Sequence, residues 1–201
     1  TNMCGIAGIL SNKPMHEEFT EIVSQMNLIQ KHRGPDDSGV WYNPFCILGH
    51  TRLSIIDLSS DGHQPFFSDD NRYAITFNGE IFNYIELRKE LEGFGYNFRT
   101  KTDIEVLLKM YIHFGANCLH KLNGMFAFAI WDNRVQRLFI VRDRYGIKPV
   151  YYASLGSSVV FSSEHIPLCI ANRYRMTISF KTALWLRWWL RRYVLIRFEV
   201  A

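Results

Sequence analysis

Cysteine is scarce and scattered in this 201-residue chain: Cys4, Cys46, Cys118 and Cys169 form no CxxC pair and no zinc-ligand spacing. That usage fits a reducing cytoplasm. The N-terminus lacks the charged start, apolar run and small-residue cleavage site of a signal peptide. No internal repeat or low-complexity tract is evident, and no GxxxxGK[ST] phosphate loop occurs. The longest apolar stretch, near the C-terminus, is interrupted by Arg187, Arg191, Arg192 and Arg197, which makes it a poor membrane span, since a span needs ~20 mostly apolar residues.

What is present describes a soluble globular chain, 48% hydrophobic and 21% charged, long enough for one well-cored domain. The formal charge of +4 is unevenly spread. Residues 166–201 carry seven Lys or Arg against Glu199 alone, so the first 165 residues are slightly acidic. The main body therefore offers no electrostatic reason to expect a nucleic-acid partner.

Hydrophobic periodicity predicts a buried strand over 4–10 and a helix over 15–31, where Phe19, Ile22, Val23, Met26 and Ile29 recur at helical spacing. Gly34-Pro35 ends that helix. Strands are expected at 39–42, 46–50, 53–57 and 72–77, the last ending at Asn78-Gly79. A helix capped by Asn83 runs to Gly93 or Gly95, and a second begins at a capping box formed by Thr102 and Glu105 and runs to Phe114. Strands at 125–132, 137–143, 149–153 and 159–162 follow. Several, FAFAIW most clearly, are apolar on both faces, which two sheets sandwiched between helix layers would satisfy.

Met3-Cys4-Gly5-Ile6 carries the strongest chemical suggestion. Removal of one initiator methionine would leave a cysteine holding both a thiol, pKa ~8.5, and an α-amine, pKa ~7.7 to 8.0. The amine can take the thiol's proton, and the thiolate can attack a carboxamide to give a thioester and ammonia. A buried structural cysteine is the plainer alternative. Asn78 and Gly79 can supply oxyanion donors, or simply form a hairpin turn. Arg52 offers a planar fork for a carboxylate and Asp103 an anion for an ammonium; a surface cation and a helix-dipole partner are the alternatives.

Taken together, MCGIAGIL, KHRGPDDSGVW, LGHTRLSIIDLS, DGHQPF, ITFNGEIFNYIELRKEL, TKTDIEVLL, LNGMFAFAIWD and VRDRYGIKPVYY resemble class II glutamine amidotransferase domains. They resemble specifically the N-terminal domain of asparagine synthetases, in family order from residue 3 to about 164. The resemblance implies an α+β fold, the four-layer αββα sandwich of N-terminal-nucleophile hydrolases. It implies Cys4 as nucleophile with its own α-amine as base, and Asn78 and Gly79 as the oxyanion hole. The glutamine site would comprise Arg52 at the carboxylate, backbone of Leu53, Ser54, Ile55 and Ile56, Glu80, and Asp103 at the ammonium. No metal site is expected.

Three departures accompany the match. Thr1-Asn2-Met3 precedes Cys4, and an acylated nitrogen is no base. The SGGxDS-type loop of an ATP-using synthetase domain is absent, so ATP and Mg are expected only for such a domain elsewhere, with a synthetase domain or subunit as ammonia acceptor. Residues 165–201 form an Arg- and Trp-rich tail, read as a truncated or frame-disrupted second domain, with an interfacial amphipathic helix as the competing reading. An oligomer is compatible with the sequence. Besides a glutaminase, a degenerate glutamine-binding module and a tail-driven surface-associated protein remain as functional readings.

Overall fold

The structure, a computed structural model, describes residues 3–54, 62–173, 178–179 and 194–199. The strands are β1 (Gly5–Ser11), β2 (Asp37–Asn43), β3 (Cys46–Arg52), β4 (Phe66–Phe67), β5 (Tyr73–Ile81), β6 (Gly124–Asp132), β7 (Arg137–Arg142), β8 (Tyr151–Leu155), β9 (Ser158–Ser162), β10 (Ile178–Ser179) and β11 (Val194–Glu199). The helices are α1 (Thr20–Ile29), α2 (Tyr84–Gly93), α3 (Asp103–Phe114) and α4 (His165–Arg173). The strands pair antiparallel in two sheets, ordered β10-β8-β9-β1-β3-β2 and β11-β7-β6-β5-β4.

Alternation along each strand sorts the core into three layers. Ile6, Leu10, Cys46, Leu48 and Phe161 of the first sheet meet Ala74, Ala127, Ala129, Trp131, Leu138 and Ile140 of the second. Ala7, Ile9 and Ile47, one residue out of phase, pack under Ile22, Val23 and Met26 of α1. Ile75, Phe77, Phe126, Phe128 and Val141 pack under α3 residues such as Val106, Leu107 and Met110. Helix, sheet, sheet and helix are thus stacked in the αββα order that the resemblance implied. The both-faced apolar pattern of β6 follows from its central place in this stack.

The tail contributes structure where it is described: Leu168 of α4 joins the α1 layer, and β11 pairs with β7 at the sheet edge. Among the described residues no helix is long and apolar enough to cross a membrane.

Several local expectations are corrected. The first helix starts later than residue 15, with 3-10 turns at 17–19 and 30–32 flanking α1. Asn78-Gly79 is no strand end, because β5 runs on to Ile81 and Asn78 and Gly79 pair with Ala127 and Phe126. The strand expected at 53–57 is not formed at Leu53 and Ser54, which leave β3, while residues 55–57 lie outside the described residues. Asn83 precedes α2 without capping it; its amide bonds Lys121 O and Asn123 N–H instead. The capping box at α3 is also absent, since the Glu105 carboxylate accepts from Arg99 N–H and from Thr100 N–H and Oγ1–H. In both cases a longer-range backbone donor or acceptor outcompetes the local one.

Leu48 is fully buried between the sheets, whereas Leu28 on α1 is 61% exposed. Leu48→Ala is therefore expected to lower unfolding free energy by ~2 to 5 kcal/mol, with Leu28→Ala staying within ~0.5 kcal/mol, as read from urea denaturation. Equal effects would contradict the layer assignment.

Candidate active site

Cys4 is set by the strand it precedes. β1 lies between β3 and β9, and its register places Gly5 opposite Thr51, so Cys4 emerges beside Arg52 and Leu53 where β3 ends. The sulfur accepts the Leu53 N–H at 3.3 Å and lies 3.7 Å from Leu53 O. Behind it, Arg33 donates Nε–H to Cys4 O at 3.1 Å and pairs through Nη1 with Glu164 at 3.1 Å. Met3, whose N–H donates to Arg33 O at 2.9 Å, precedes Cys4, so the Cys4 nitrogen here is a peptide amide.

These groups open onto a cavity of about 290 Å³. Of the residues singled out from sequence, Cys4, Arg52, Leu53, Asn78, Gly79, Glu80 and Asp103 all line it. Ser54 does not: its N–H is taken by Asp36 Oδ2 at 2.7 Å, which draws the chain away from the cavity. Ile55 and Ile56 lie outside the described residues.

Burial dominates the electrostatics of the site. Burial pushes the Cys4 thiol up, opposed by the Leu53 N–H and then by the cations Arg52, Lys148 and Arg33. Burial likewise lifts the Asp103 carboxyl to about 6, aided by the negative Glu80 and opposed by the Ile81 N–H it accepts at 3.0 Å. Asn78 is buried and its Nδ2 has no partner among the described residues. A buried amide donor without an acceptor is costly unless a ligand completes it. Gly79 is required by packing, as a Cβ there would strike Met125 O and the Phe126 backbone. At Gly62 a Cβ would run into the Arg52 guanidinium, so only hydrogen lets that side chain lie flat in the wall.

Residues without an assigned role in the sequence also matter. Gln64 clamps the backbone of Phe77, accepting its N–H at 2.7 Å and donating to its carbonyl at 3.2 Å. His50 reaches the same carbonyl at 3.1 Å from the opposite sheet. Burial lowers its pKa to about 3, so the ring is neutral and its Nε2 carries the donated proton. Asn78 thus follows a residue held from two sides. Lys148, Thr102, Met3, Ile104 and Met125 complete the wall. The HQPF and GIKP segments flagged Gln64 and Lys148 only as members of matching motifs, since their contacts are made across long sequence separations.

Comparison with known proteins gives these observations a family. The sequence profile of the glutamine amidotransferase domain matches residues 3–186. Glutamine-hydrolysing asparagine synthetase 1 of Bacillus subtilis is 45% identical over 172 residues, covering 85% of this chain and 27% of that protein. A putative glutamine-hydrolysing asparagine synthetase of Methanocaldococcus jannaschii is 42% identical over 180 residues, covering 81% of this chain and 34% of its own length. The chain therefore spans about a quarter to a third of the curated relatives it matches. Among solved structures, glutamine phosphoribosylpyrophosphate amidotransferase from B. subtilis superposes with a TM-score of 0.72 at 21% identity, over 88% of this chain and 44% of that one. An allosteric regulatory enzyme of purine biosynthesis gives 0.75 at 20% identity, over 98% and 49%. Likeness at that identity is one of fold. With the profile covering most of its length, this chain belongs to the glutamine amidotransferase domain family, and within it is similar to the corresponding part of the glutamine-hydrolysing asparagine synthetases.

Proposed function

We propose that the chain hydrolyses glutamine to glutamate and ammonia through a γ-glutamyl thioester on Cys4. The observation that carries this reading is the convergence, on one cavity, of a part-buried thiol, a buried unsatisfied amide donor, a guanidinium and a carboxylate. Arg52 takes the substrate α-carboxylate and Asp103, with Glu80 beside it, the α-ammonium. Holding both ends presents the side-chain amide to the sulfur.

Once Met3 is removed, the Cys4 α-amine accepts the thiol proton and the sulfur attacks the amide carbon. Charge develops on the amide oxygen, where Asn78 Nδ2–H and the Gly79 N–H meet it. The intermediate collapses as the amine returns its proton to the leaving nitrogen, releasing ammonia. Water then cleaves the thioester. Residues 4–164 form the catalytic unit in this reading. The ammonia acceptor is a synthetase domain or subunit that uses ATP and Mg, and the names of the relatives suggest asparagine as its product. Four free, separated cysteines suit a cytoplasmic setting.

The form beginning at Cys4 is expected to release ammonia and the form retaining Met3 to be nearly inactive, with intact mass verifying each start; equal rates would refute the α-amine as base. A glutamine-dependent rise in melting temperature with no ammonia from either form would instead identify a binding module.

Arg52→Ala should weaken glutamine binding ~10- to 150-fold, the equivalent of ~1.5 to 3 kcal/mol for a charge-assisted contact. Cys4→Ala should retain binding and lose the thioester. Calorimetry separates the two, and unchanged affinity in Arg52→Ala would remove the carboxylate assignment.

The raised Asp103 pKa sets a pH limit. Below about 6 the carboxyl is protonated in the free protein and loses its attraction for ammonium, so glutamine affinity, read by calorimetry on Cys4→Ala to leave the α-amine base out of the measurement, should fall toward tenfold per pH unit. Asp103→Asn should remove that acid limb. A limb that persists unchanged in the variant would place the titration elsewhere.

A further inference from the structure

Lys148 is only 7% exposed, yet no carboxylate lies within ion-pair distance of its ammonium among the described residues. Among the described residues the one polar contact of the ammonium is with the neutral thioether of Met3, at 3.0 Å. Burying a lone ammonium is costly, and lysine normally extends to solvent when it can.

The loop that delivers it prevents that escape. The buried Asp143 carboxylate accepts the N–H groups of Tyr145 and Ile147 on Oδ1, and of Lys148 and Phe126 on Oδ2, at 3.0 to 3.2 Å. Arg142 donates to Gly146 O at 2.6 Å and to Lys148 O at 3.2 Å. Gly146 makes the turn at φ +64°. Tyr145 is 88% exposed and Ile147 54%, so the loop turns apolar side chains outward and its lysine inward. That inversion places a cation in the wall of the cavity that holds Cys4.

The charges facing Cys4 have different commitments. Arg33 is bound to Cys4 O and paired with Glu164. Arg52 is the proposed partner of the substrate carboxylate, which neutralises it when glutamine is bound. Glu80 and Asp103 are acids on the ammonium side of the cavity. Lys148 is the remaining cation; burial pulls its pKa down from the usual lysine value, and Cys4 heads the charged groups that oppose this and favour the protonated form.

We propose that Lys148 is a positioning residue for Cys4: its buried ammonium, fixed by the loop closed on Asp143, stabilises the sulfur as thiolate before attack. This rests on reading Cys4 as the nucleophile. Lys148 neither gives nor takes a proton; the thiol proton leaves to the base, and the ammonium holds the charge left behind.

The test is alkylation of the full chain by iodoacetamide between about pH 6 and 10, followed by peptide mass spectrometry that resolves Cys4 from the exposed Cys169. With Met3 in place the Cys4 nitrogen is an amide, so the Cys4 profile reports its thiol alone. Lys148→Met and Lys148→Gln, each checked by thermal melting, are expected to raise the Cys4 midpoint by about half to one pH unit, or ~3- to 10-fold slower labelling below it. Lys148→Arg should restore the profile, and Cys169 should label equally in all forms. A Cys4 midpoint unchanged in a folded Met or Gln variant, or an Arg variant that behaves like Met, overturns the role of Lys148. A Cys4 that never labels even in the unsubstituted form that begins at Cys4 overturns the nucleophile reading itself.

Discussion

The pairing of β1 with β3 is the constraint from which the site follows. β1 has a strand on either side and a packed layer on either face, so its backbone has little freedom to shift. A slip of one residue would turn Ile6 and Leu10 toward α1 and Ala7 and Ile9 toward the second sheet, disrupting both layers. The register that avoids this puts Cys4 where β3 ends and leaves the Leu53 N–H to meet its sulfur. The proposed nucleophile is thus located by hydrophobic sorting.

The second sheet is tied to the first near the cavity by polar contacts. Thr76 donates to Gly49 O and His50 to Phe77 O, each joining β5 to β3 across the sandwich, and Gln64 closes on Phe77 from a third segment. These bonds lie in a water-poor interior, where satisfied polar groups confer geometric specificity. They bring Asn78 to the cavity with its side-chain amide still without an acceptor. The bonds that hold the neighbours and the open donor on Asn78 belong to one arrangement.

Burial also sets the chemistry. It raises the pKa of both Cys4 and Asp103, favouring the neutral form of each. For the proposed reaction that opposes ionisation at both ends of the substrate, and the surrounding donors and cations counter it: Leu53 N–H, Arg52, Lys148 and Arg33 at the sulfur, and Ile81 N–H at the carboxylate. A thiol left in water would ionise more easily but would have no enclosed site in which to meet an amide.

Period-two alternation and the apolar FAFAIW run already specified stacked sheets with helix cover, because side-chain direction in a strand is a local property. The chemistry-bearing residues Cys4, Arg52, Asn78, Gly79 and Asp103 were legible as types suited to an amide with charged ends, and the motif resemblance joined them. The caps assigned to Asn83 and Thr102 were not, since donors at Asn123, Arg99 and Thr100 come from other turns and local spacing carries no record of them. The continuation of β5 through Asn78-Gly79 was decided by β6, whose backbone fills the space a turn would need. Sequence by itself determined the layering and the chemical inventory; only the tertiary structure decided that Ser54 turns away and Lys148 turns in, because those directions depend on Asp36 and Asp143, whose carboxylates draw backbone N–H groups toward them.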